Sequence, residues 1–315
     1  LFTYSKAMLR PTVSCIEEVN DLIINHPVAP LEVNKHLKQK FKLHNNGGIL
    51  GQVLSGIDMA CWDVFAQSLN QPLASILGSK PKTIRAYNSC GLFIQSPKSA
   101  GREATKLVAE GGFKAIKARL GRTNLKEDLE TIKNIRDNID ENVELMVDFN
   151  QSLNVNEAIK RCRLIDNEGL YWIEDPIRHD NYEGCSKIAA EIGTPLQIGE
   201  NMINSYEMQK AIDLMAAEYY MPDVQRIGGV TGWLEASSLG YVNDIDLSSH
   251  LFPEISCHLL SATANCHWLE YVDWASPIME NPIEVKDGFV VTPNVPGTGV
   301  KWNETAVTKY LVQST

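Results

Sequence analysis

Short apolar runs alternate with amphipathic segments along most of the chain, and several of the runs end in an acidic residue. The clearest of these runs occupy positions 145–148, 171–174 and 196–200. Between them, the segments 155–165 and 207–215 carry apolar residues at helical spacing. Strands that alternate with helices in this way run parallel, so their carboxyl ends meet on one face. The pattern therefore predicts repeated strand–helix units.

The flanking sequence raises the number of such units to eight. Further runs with strand character occupy positions 83–89, 113–120, 219–223, 246–250 and 268–270. A polar residue stands at or near the end of each strand, at intervals of 20 to 31 residues. This layout is typical of a barrel whose active site is built at the carboxyl ends of its strands. We therefore predict an α/β protein with a TIM-type barrel.

Three of the strand-end acids are candidate metal ligands. Asp148, Glu174 and Glu200 are separated by 26 residues in each case, which places them at matched positions of successive units. Three anions gathered on one face repel one another unless a cation joins them. Oxygen ligands without a nearby Cys or His favour Mg²⁺. The alternative is that the three carboxylates are unrelated, and cap helices or pair with Lys and Arg.

A histidine and an acid on consecutive predicted strands are candidates for proton transfer. His250 ends the seventh run, and Asp223 ends the sixth. Histidine is the side chain whose ordinary pKa lies near neutrality, which suits a general base. An acid one strand away can hold the imidazole in the required tautomer. The alternative is a structural histidine whose nitrogen atoms are satisfied by hydrogen bonds.

Longer motifs resemble the enolase superfamily and, within it, the mandelate racemase/muconate lactonizing enzyme family, with mandelate racemase as the closest match. The similarity covers nearly the whole chain and is carried by the segments Gly56–Ala60, Met146–Leu153, Met221–Asp223, Ile227–Trp233, Ser248–Ser256, His267–Glu270 and Pro296–Val300. The resemblance implies a (β/α)7β barrel with an N-terminal α+β capping domain.

The resemblance also implies a division of the chain. Residues 1–80 would be the helical remainder of the capping domain, with helices near 6–24, 31–43 and 49–69. Residues 81–280 would form the barrel, and residues 281–315 would pack back on the capping domain. Position 1 matches an interior position of the family, so we expect the N-terminal strands and the substrate-covering loop of the family to lie outside this sequence.

Members of the superfamily remove the proton next to a carboxylate and form a metal-stabilised enediolate. By resemblance, Asp148, Glu174 and Glu200 would bind Mg²⁺, while His250 would be the base and Asp223 would orient it. Removal of this proton adds a second charge to an anion, so the charge needs preorganised electrostatic stabilisation.

The remaining family positions concern the substrate. By resemblance, Lys117 would bind and neutralise the substrate carboxylate, and Glu270 would lie beside it. Ser89 and Asn150 would make smaller polar contacts with the substrate. A small-molecule carboxylate is therefore the expected partner.

One departure from the family pattern bears on the reaction. The second lysine of the racemase pattern is replaced by Arg119, on the same predicted strand face as Lys117. Reaching neutrality requires a pKa shift of about three units for lysine and about six for arginine. Arg119 is therefore expected to act as a charge or hydrogen-bond donor. The leading hypothesis is dehydration of an acid sugar with His250 as base. The alternatives are a two-base racemase that uses Arg119 and His250, and a barrel that binds metal and ligand without turnover.

Composition restricts the remaining possibilities. The net charge of −10 disfavours nucleic acid as a partner. No uninterrupted apolar run approaches 18 residues, so we expect no membrane span. The seven cysteines are odd in number and lack paired metal-binding spacing, which favours reduced thiols and a cytoplasmic location. We also expect a homo-oligomer.

Overall fold

A computed structural model describes residues 1–44 and 47–311. The chain begins with four helices, α1 Lys6–Asn20, α2 Pro30–Lys40, α3 Gly48–Ser68 and α4 Leu73–Ile76. The first three pack together around a small apolar core formed by Val19, Val33, Leu37 and Val53. The Ser5 hydroxyl caps α1 by accepting a hydrogen bond from the backbone N–H of Ala7.

Most of the following strands form one parallel sheet. They are β1 Thr83–Asn88, β2 Ala115–Arg119, β3 Glu144–Asp148, β4 Ile173–Glu174, β5 Leu196–Ile198, β6 Tyr219–Tyr220 and β7 Leu269–Tyr271. Each of β1 to β5 pairs in parallel with the next strand, and β7 pairs in parallel with β1. The predicted α/β barrel class is therefore confirmed.

The barrel closes between β6 and β7 through isolated bridges. Leu247 bridges both Tyr220 and Cys266, and His250 bridges Asp223. The predicted strand at 246–250 is thus present as an extended segment and not as a regular strand. Pro222 explains part of this difference, because it has no N–H to donate to the segment beside it.

Helices connect the strands on the outside of the barrel. They are α5 Pro97–Glu110, α6 Leu125–Arg136, α7 Val155–Ile165, α8 Tyr182–Ala189, α9 Ser205–Asp213, α10 Gly229–Val242 and α11 Pro253–Ala262. Asparagine side chains cap the first turns of α6, α7, α8 and α9, at positions 124, 154, 181 and 204. These caps place each loop, and hence each strand end, at a defined position.

The register of the central strands determines which side chains point into the barrel. Arg119 on β2 pairs with Asp148 on β3, which in turn pairs with Glu174 on β4. Side chains of a strand alternate between its two faces, and Ile116 and Ala118 pack in the large core cluster shared with the helices. Lys117 and Arg119 therefore face the opposite side, toward the barrel interior.

The C-terminal part of the chain contacts the barrel and the first helices. The hairpin of β8 Val285–Lys286 and β9 Phe289–Val291 pairs antiparallel with the start of β1. A 3-10 turn at Ser276–Ile278 precedes this hairpin, and α12 Glu304–Tyr310 follows it. Thr298 donates two hydrogen bonds to Asp63 of α3, through its backbone N–H at 2.6 Å and its hydroxyl at 2.9 Å. These contacts are those expected if the C-terminal segment packs on the capping domain.

Helix α3 is long and apolar enough, by length and composition alone, to span a membrane. The sequence prediction considered only uninterrupted apolar runs and did not single out this helix. In the structure, α3 packs against α1, α2 and α10. Its Trp62 indole donates a hydrogen bond of 3.0 Å to the Thr231 hydroxyl of α10. These contacts join one side of α3 to the first helices and to α10.

Candidate active site

The carboxyl ends of the strands bring the candidate residues together around one buried lysine. The Lys117 ammonium donates a hydrogen bond to Glu174, lies 2.9 Å from Glu270 Oε1 and lies 3.7 Å from Asp148 Oδ2. Lys117 is only 1% exposed. Burial alone would lower its pKa, but Glu174 and Glu270 hold the pKa well above its usual value. Lys117 is therefore a fixed cation at the centre of the site.

The three predicted metal ligands are neighbours, but their side chains do not converge on one point. Glu174 bonds Lys117, whereas Asp148 accepts hydrogen bonds from Asn150 through its backbone N–H at 2.7 Å and its amide at 2.8 Å. Glu200 lies 3.3 Å from His250 Nε2. Among residues 1–44 and 47–311, no group of three or more His, Cys, Asp or Glu side chains is arranged to hold a metal ion.

The charges of the site nevertheless suit a divalent cation. The pKa of Glu174 is raised to about 8, mainly by burial. The positive charge of Lys117 opposes this rise, and the negative charge of Asp148 adds to it. Asp175 is also buried, and its pKa is raised well above the usual value by burial and then by Glu200, Asp148 and Glu174. Its Oδ2 atom has no hydrogen-bond donor among the described residues. Buried anions in this excess, with a free carboxylate oxygen, fit a hard cation such as Mg²⁺.

The predicted base and its partner are in direct contact. His250 Nδ1 lies 2.7 Å from Asp223 Oδ2. Asp223 is itself held through Oδ1, which accepts a hydrogen bond of 2.6 Å from the backbone N–H of Gln225. Because the carboxylate accepts the Nδ1 proton, Nε2 is the nitrogen that faces the interior, between Glu200 at 3.3 Å and Glu270 at 3.9 Å.

The carboxylates around His250 control its charge. Burial alone would lower the pKa of His250, but Glu200, the hydrogen bond to Asp223, and Glu270 together raise it to about 9. Glu200 makes the largest of these favourable contributions. An imidazole with this pKa is protonated at neutral pH as long as Glu200 keeps its full negative charge.

Glu270 is held by contacts with three segments of the chain. Its Oε1 lies 2.9 Å from the Lys117 ammonium, as an ion pair, and accepts a hydrogen bond of 2.7 Å from the Ser89 hydroxyl. Its Oε2 accepts a hydrogen bond of 2.9 Å from the backbone N–H of Leu251. Burial would raise the pKa of Glu270, but Lys117 and His250 hold it well below its usual range. Glu270 is therefore an ionised carboxylate in this arrangement.

Arg119 lies at the mouth of the barrel and donates hydrogen bonds to the loop after β1. Its guanidinium donates to the Ser89 hydroxyl at 2.8 Å and to the carbonyl oxygens of Ser89 at 3.2 Å and Gly91 at 2.9 Å. This is the behaviour expected of a fixed charge and hydrogen-bond donor. Asn150, a predicted substrate contact, donates a hydrogen bond of 2.8 Å from its amide to Asp148 Oδ2.

Several residues of the site were not predicted from the sequence. Asp175 directly follows Glu174 and adopts a left-handed φ of +37° before a proline. The available sequence signal was a second acid directly after Glu174, whereas the left-handed φ, a feature frequent at functional sites, is visible only in the structure. The Trp172 indole and the Gln197 amide hydrogen-bond Glu174 Oε2 at 3.0 and 3.3 Å. Trp172 and Gln197 lie before the carboxyl ends of their strands. At such positions the sequence does not distinguish a side chain that makes a polar contact from one that packs in the core.

The first residues of the chain also reach the site. The Gln225 amide bonds both backbone groups of Phe2, at 2.6 and 2.8 Å. The ring of Phe2 lies 5.1 Å from that of Trp274, and the ring of Tyr4 lies 5.0 Å from the guanidinium of Arg226. Aromatic side chains therefore line one side of the mouth, near the His250–Asp223 pair.

Comparison with known proteins identifies the family. Residues 99–306 match the enolase C-terminal domain-like family, and residues 4–78 match the N-terminal domain of mandelate racemase and muconate lactonizing enzymes. The chain belongs to the mandelate racemase/muconate lactonizing enzyme family of the enolase superfamily. The predicted resemblance is thus confirmed.

Solved structures of this family are closely similar to the fold described here. An enolase from alpha proteobacterium BAL199 with bound magnesium has a TM-score of 0.96 and 38% identity, over 98% of this chain and 86% of that protein. An enolase from Bradyrhizobium in complex with magnesium and mandelic acid has a TM-score of 0.95 and 35% identity, over 99% and 86%. The predicted cofactor agrees with the magnesium in both structures.

Curated relatives belong to the two enzyme classes predicted from the sequence, lyases and isomerases. The L-talarate/galactarate dehydratase of Salmonella typhimurium is 30% identical over 259 residues, which cover 82% of this chain. The match spans 65% of the length of that dehydratase. Other relatives in this family are sugar-acid dehydratases, cycloisomerases and a racemase.

Proposed function

We propose that this family member catalyses the dehydration of an acid sugar, with His250 as the base. The observation that carries the proposal is the contact of 2.7 Å between His250 Nδ1 and Asp223 Oδ2, which leaves Nε2 facing the interior. A base that removes a carbon-bound proton must have a pKa near neutrality and must be held in a fixed position and orientation. The buried pair of His250 and Asp223 meets the conditions of position and orientation. The dehydratases among the relatives support the proposed reaction.

We propose that Asp148, Glu174 and Glu200 hold Mg²⁺, as their position at successive strand ends and the excess of buried negative charge suggest. Bound magnesium supplies positive charge that stabilises the charge developing on a substrate carboxylate. A cation held by Glu200 would offset the charge that contributes most to raising the pKa of His250, and would therefore favour the neutral imidazole that a base requires.

The residues of the chain divide the reaction between them. His250 Nε2 takes the proton from the carbon next to the carboxylate, while Asp223 keeps the proton on Nδ1. Lys117, a buried cation, offsets the second negative charge that this step places on the substrate. The proton on Nε2 is then available to the departing β-hydroxyl, so that the substrate loses one molecule of water and becomes an enol. Loss of the enol hydroxyl proton and protonation of the neighbouring carbon give the 2-keto-3-deoxy acid.

The position of Arg119 favours a single base over two. Its guanidinium donates three hydrogen bonds to the loop after β1, and this anchors it as a cation. Arginine remains protonated in proteins at ordinary pH. The proposed reaction therefore takes place with one base, His250.

Product analysis tests the proposal. The protein with Mg²⁺ is incubated with galactarate, L-talarate, glucarate, gluconate and arabinonate, and 2-keto acid formation is followed by absorbance of the semicarbazone. We expect one or more of these acids to yield a 2-keto product. Inversion of a single-enantiomer 2-hydroxyacid such as mandelate, without loss of water, would instead establish the racemase. If neither reaction is seen with any of the acids, the proposal is overturned in favour of a binding barrel.

Two further proposals concern the cell and the assembly. We propose a cytoplasmic location, which the seven free cysteines support. We also propose that the protein is a homo-oligomer, and light scattering of the purified protein tests this directly. A single species at the mass of one chain would contradict it.

A further inference from the structure

The loop after β1 forms a socket of oxygen atoms around Arg119. Two backbone carbonyls and one hydroxyl, from Ser89 and Gly91, accept hydrogen bonds from the guanidinium at 2.8 to 3.2 Å. The backbone N–H of Arg119 also donates to the carbonyl of Leu92 at 2.9 Å. A planar fork of donors can reach acceptors on two sides at once, which the single ammonium of lysine cannot reproduce.

The backbone of this loop is bent so that its carbonyls point at Arg119. Leu92 is 1% exposed and adopts a left-handed φ of +54°, a conformation that non-glycine residues rarely adopt. Its N–H is held by Glu103 Oε2 at 3.2 Å. A Cβ at Gly91 would lie 2.6 Å from Glu103 Oε1, so a larger residue would displace the carboxylate that holds Leu92. The bend is therefore built into the fold and does not depend on Arg119 alone.

An aromatic ring closes the socket from outside. The guanidinium carbon of Arg119 lies 5.1 Å from the centre of the Phe93 ring, within the range of a cation–π contact. Phe93 is 55% exposed, and burial against the core therefore does not explain its position. With the ring on one side and oxygen atoms on the other, the guanidinium has little freedom to move.

The contact of Arg119 with Ser89 determines the direction of the hydrogen bond between Ser89 and Glu270. The Ser89 hydroxyl accepts an N–H from Arg119 at 2.8 Å and lies 2.7 Å from Glu270 Oε1. Because a carboxylate only accepts, the hydroxyl donates its hydrogen to Glu270. Arg119 thus orders Ser89, and Ser89 in turn orders Glu270, which lies 3.9 Å from His250 Nε2.

We propose that Arg119 is a positioning residue, which is locked by Ser89, Gly91 and Phe93 and holds Glu270 in place through the Ser89 hydroxyl. This inference rests on the proposed function, since Glu270 lies beside the base of that reaction. It assigns Phe93 a role in the site and gives Arg119 a task that requires no proton transfer. A cation of a different shape at position 119 should therefore not hold Glu270 in place.

Chemical rescue tests the inference. The variants are Arg119→Ala, Arg119→Lys and, as a matched surface control, Arg102→Ala, all assayed as the full chain with Mg²⁺ and galactarate. Each is assayed alone, with millimolar guanidinium chloride and with millimolar methylammonium chloride. We expect kcat to fall roughly 100-fold in both Arg119 variants, since small displacements of an active-site group cost about that much. Guanidinium should restore the kcat of Arg119→Ala, and methylammonium should not. Arg102→Ala should have the kcat of the parent protein under all three conditions.

The opposite pattern would overturn the inference. Rescue of Arg119→Ala by methylammonium, or full activity of Arg119→Lys, would show that position 119 needs a charge or a proton acceptor and not a fork of donors. A parent protein that dehydrates no acid sugar would contradict the proposed function separately. In that case a crystal structure of Arg119→Ala soaked in guanidinium decides the inference. Guanidinium between the carbonyls of Ser89 and Gly91 supports it, and an empty socket overturns it.

Discussion

At the scale of single residues, the site is defined by buried carboxylates and the donors that hold them. Glu174 is fully buried, and its two oxygen atoms receive hydrogen bonds from Lys117, Trp172 and Gln197. Its orientation is therefore set by neighbours on β2 and β5 and by the residue that precedes β4. Groups that orient a metal ligand in this way commonly contribute to metal affinity as much as geometry does.

Replacement of Glu174 by Gln should weaken Mg²⁺ binding. The change removes one of the proposed ligand charges while keeping the shape of the side chain, so we expect the affinity to fall by at least about tenfold. Isothermal calorimetry measures this directly. Glu183→Gln, on the exposed face of α8, is the matched control and should bind Mg²⁺ as the parent does. Equal affinity of the two variants would contradict the assignment of Glu174.

Replacement of Asp175 by Asn should separate stability from metal binding. Burial and three neighbouring carboxylates make its charge unfavourable without a cation, and Asn tolerates the left-handed φ at this position. We expect the free energy of unfolding in the absence of Mg²⁺ to rise by about 1–2 kcal/mol. Mg²⁺ affinity should fall. Urea unfolding and calorimetry check the two effects, with Asp213→Asn on α9 as control. If Asp175→Asn instead has a lower free energy of unfolding without Mg²⁺, the charge of Asp175 is already compensated in the parent protein.

The candidate residues differ in how far their surroundings could be predicted from the sequence. His250 and Asp223 lie on adjacent segments, so a contact between them followed from the predicted order of the strands. The contacts of Glu200 with His250, and of Asn150 with Asp148, depend on side-chain rotation, which the spacing of residues along the chain does not determine. Asp175 was missed because nothing in the apolar pattern distinguishes it from an ordinary residue of a turn.

At the scale of helices and strands, hydrophobic periodicity predicted most elements and misplaced some ends. Helix α7 begins and ends where the pattern indicated, at Val155–Ile165. Helix α1 ends at Asn20, four residues before the predicted end, because the segment after it forms turns. The segment 246–250 was predicted as a strand from its place in the series of strand–helix units, but the missing N–H at Pro222 in the neighbouring segment interrupts the ladder.

Helix α10 is capped by a residue from another part of the chain. Asp58 of α3 accepts hydrogen bonds from the Thr231 backbone N–H at 2.9 Å and hydroxyl at 2.6 Å, and from the Asn34 amide at 3.0 Å. Thr231 lies in the first turn of α10, where backbone N–H groups lack partners within the helix. The carboxylate therefore joins the first helices to the barrel.

Replacement of Asp58 by Ala should destabilise the fold by about 2 kcal/mol. Burial raises the pKa of Asp58 to about 6, against the hydrogen bonds from Thr231. A carboxyl group whose pKa is higher in the folded state contributes most at low pH, and its contribution is lost as the pH rises through about 6. The destabilisation should therefore be larger near pH 5 than near pH 8. Urea unfolding at both values checks this, with Glu18→Ala as control. A loss that grows with pH would contradict the buried environment of Asp58.

At the scale of the whole molecule, one set of strand ends carries all the proposed chemistry. The barrel architecture was predictable because eight strand–helix units repeat along the chain, and the comparisons confirm the fold. The aromatic side of the mouth, formed by Phe2, Tyr4 and Trp274, was not predictable from the sequence. Trp274 is far along the chain from Phe2 and Tyr4, and each of the three alone resembles an ordinary surface aromatic.

The central claim is that His250 removes a proton next to a carboxylate in a magnesium-dependent reaction. Proton NMR in D₂O, with galactarate and the acids of the product assay, follows deuterium incorporation at that carbon directly. Four samples are compared: the parent with Mg²⁺, the parent with a chelator, His250→Asn with Mg²⁺, and the exposed control His44→Asn with Mg²⁺.

The account predicts exchange or elimination at that carbon in the parent and in His44→Asn with Mg²⁺. It predicts neither process in His250→Asn or in the chelated parent, because the base or the charge stabilisation is then missing. Exchange in His250→Asn at the rate of the parent would show that another residue takes the proton, and this result would contradict the account.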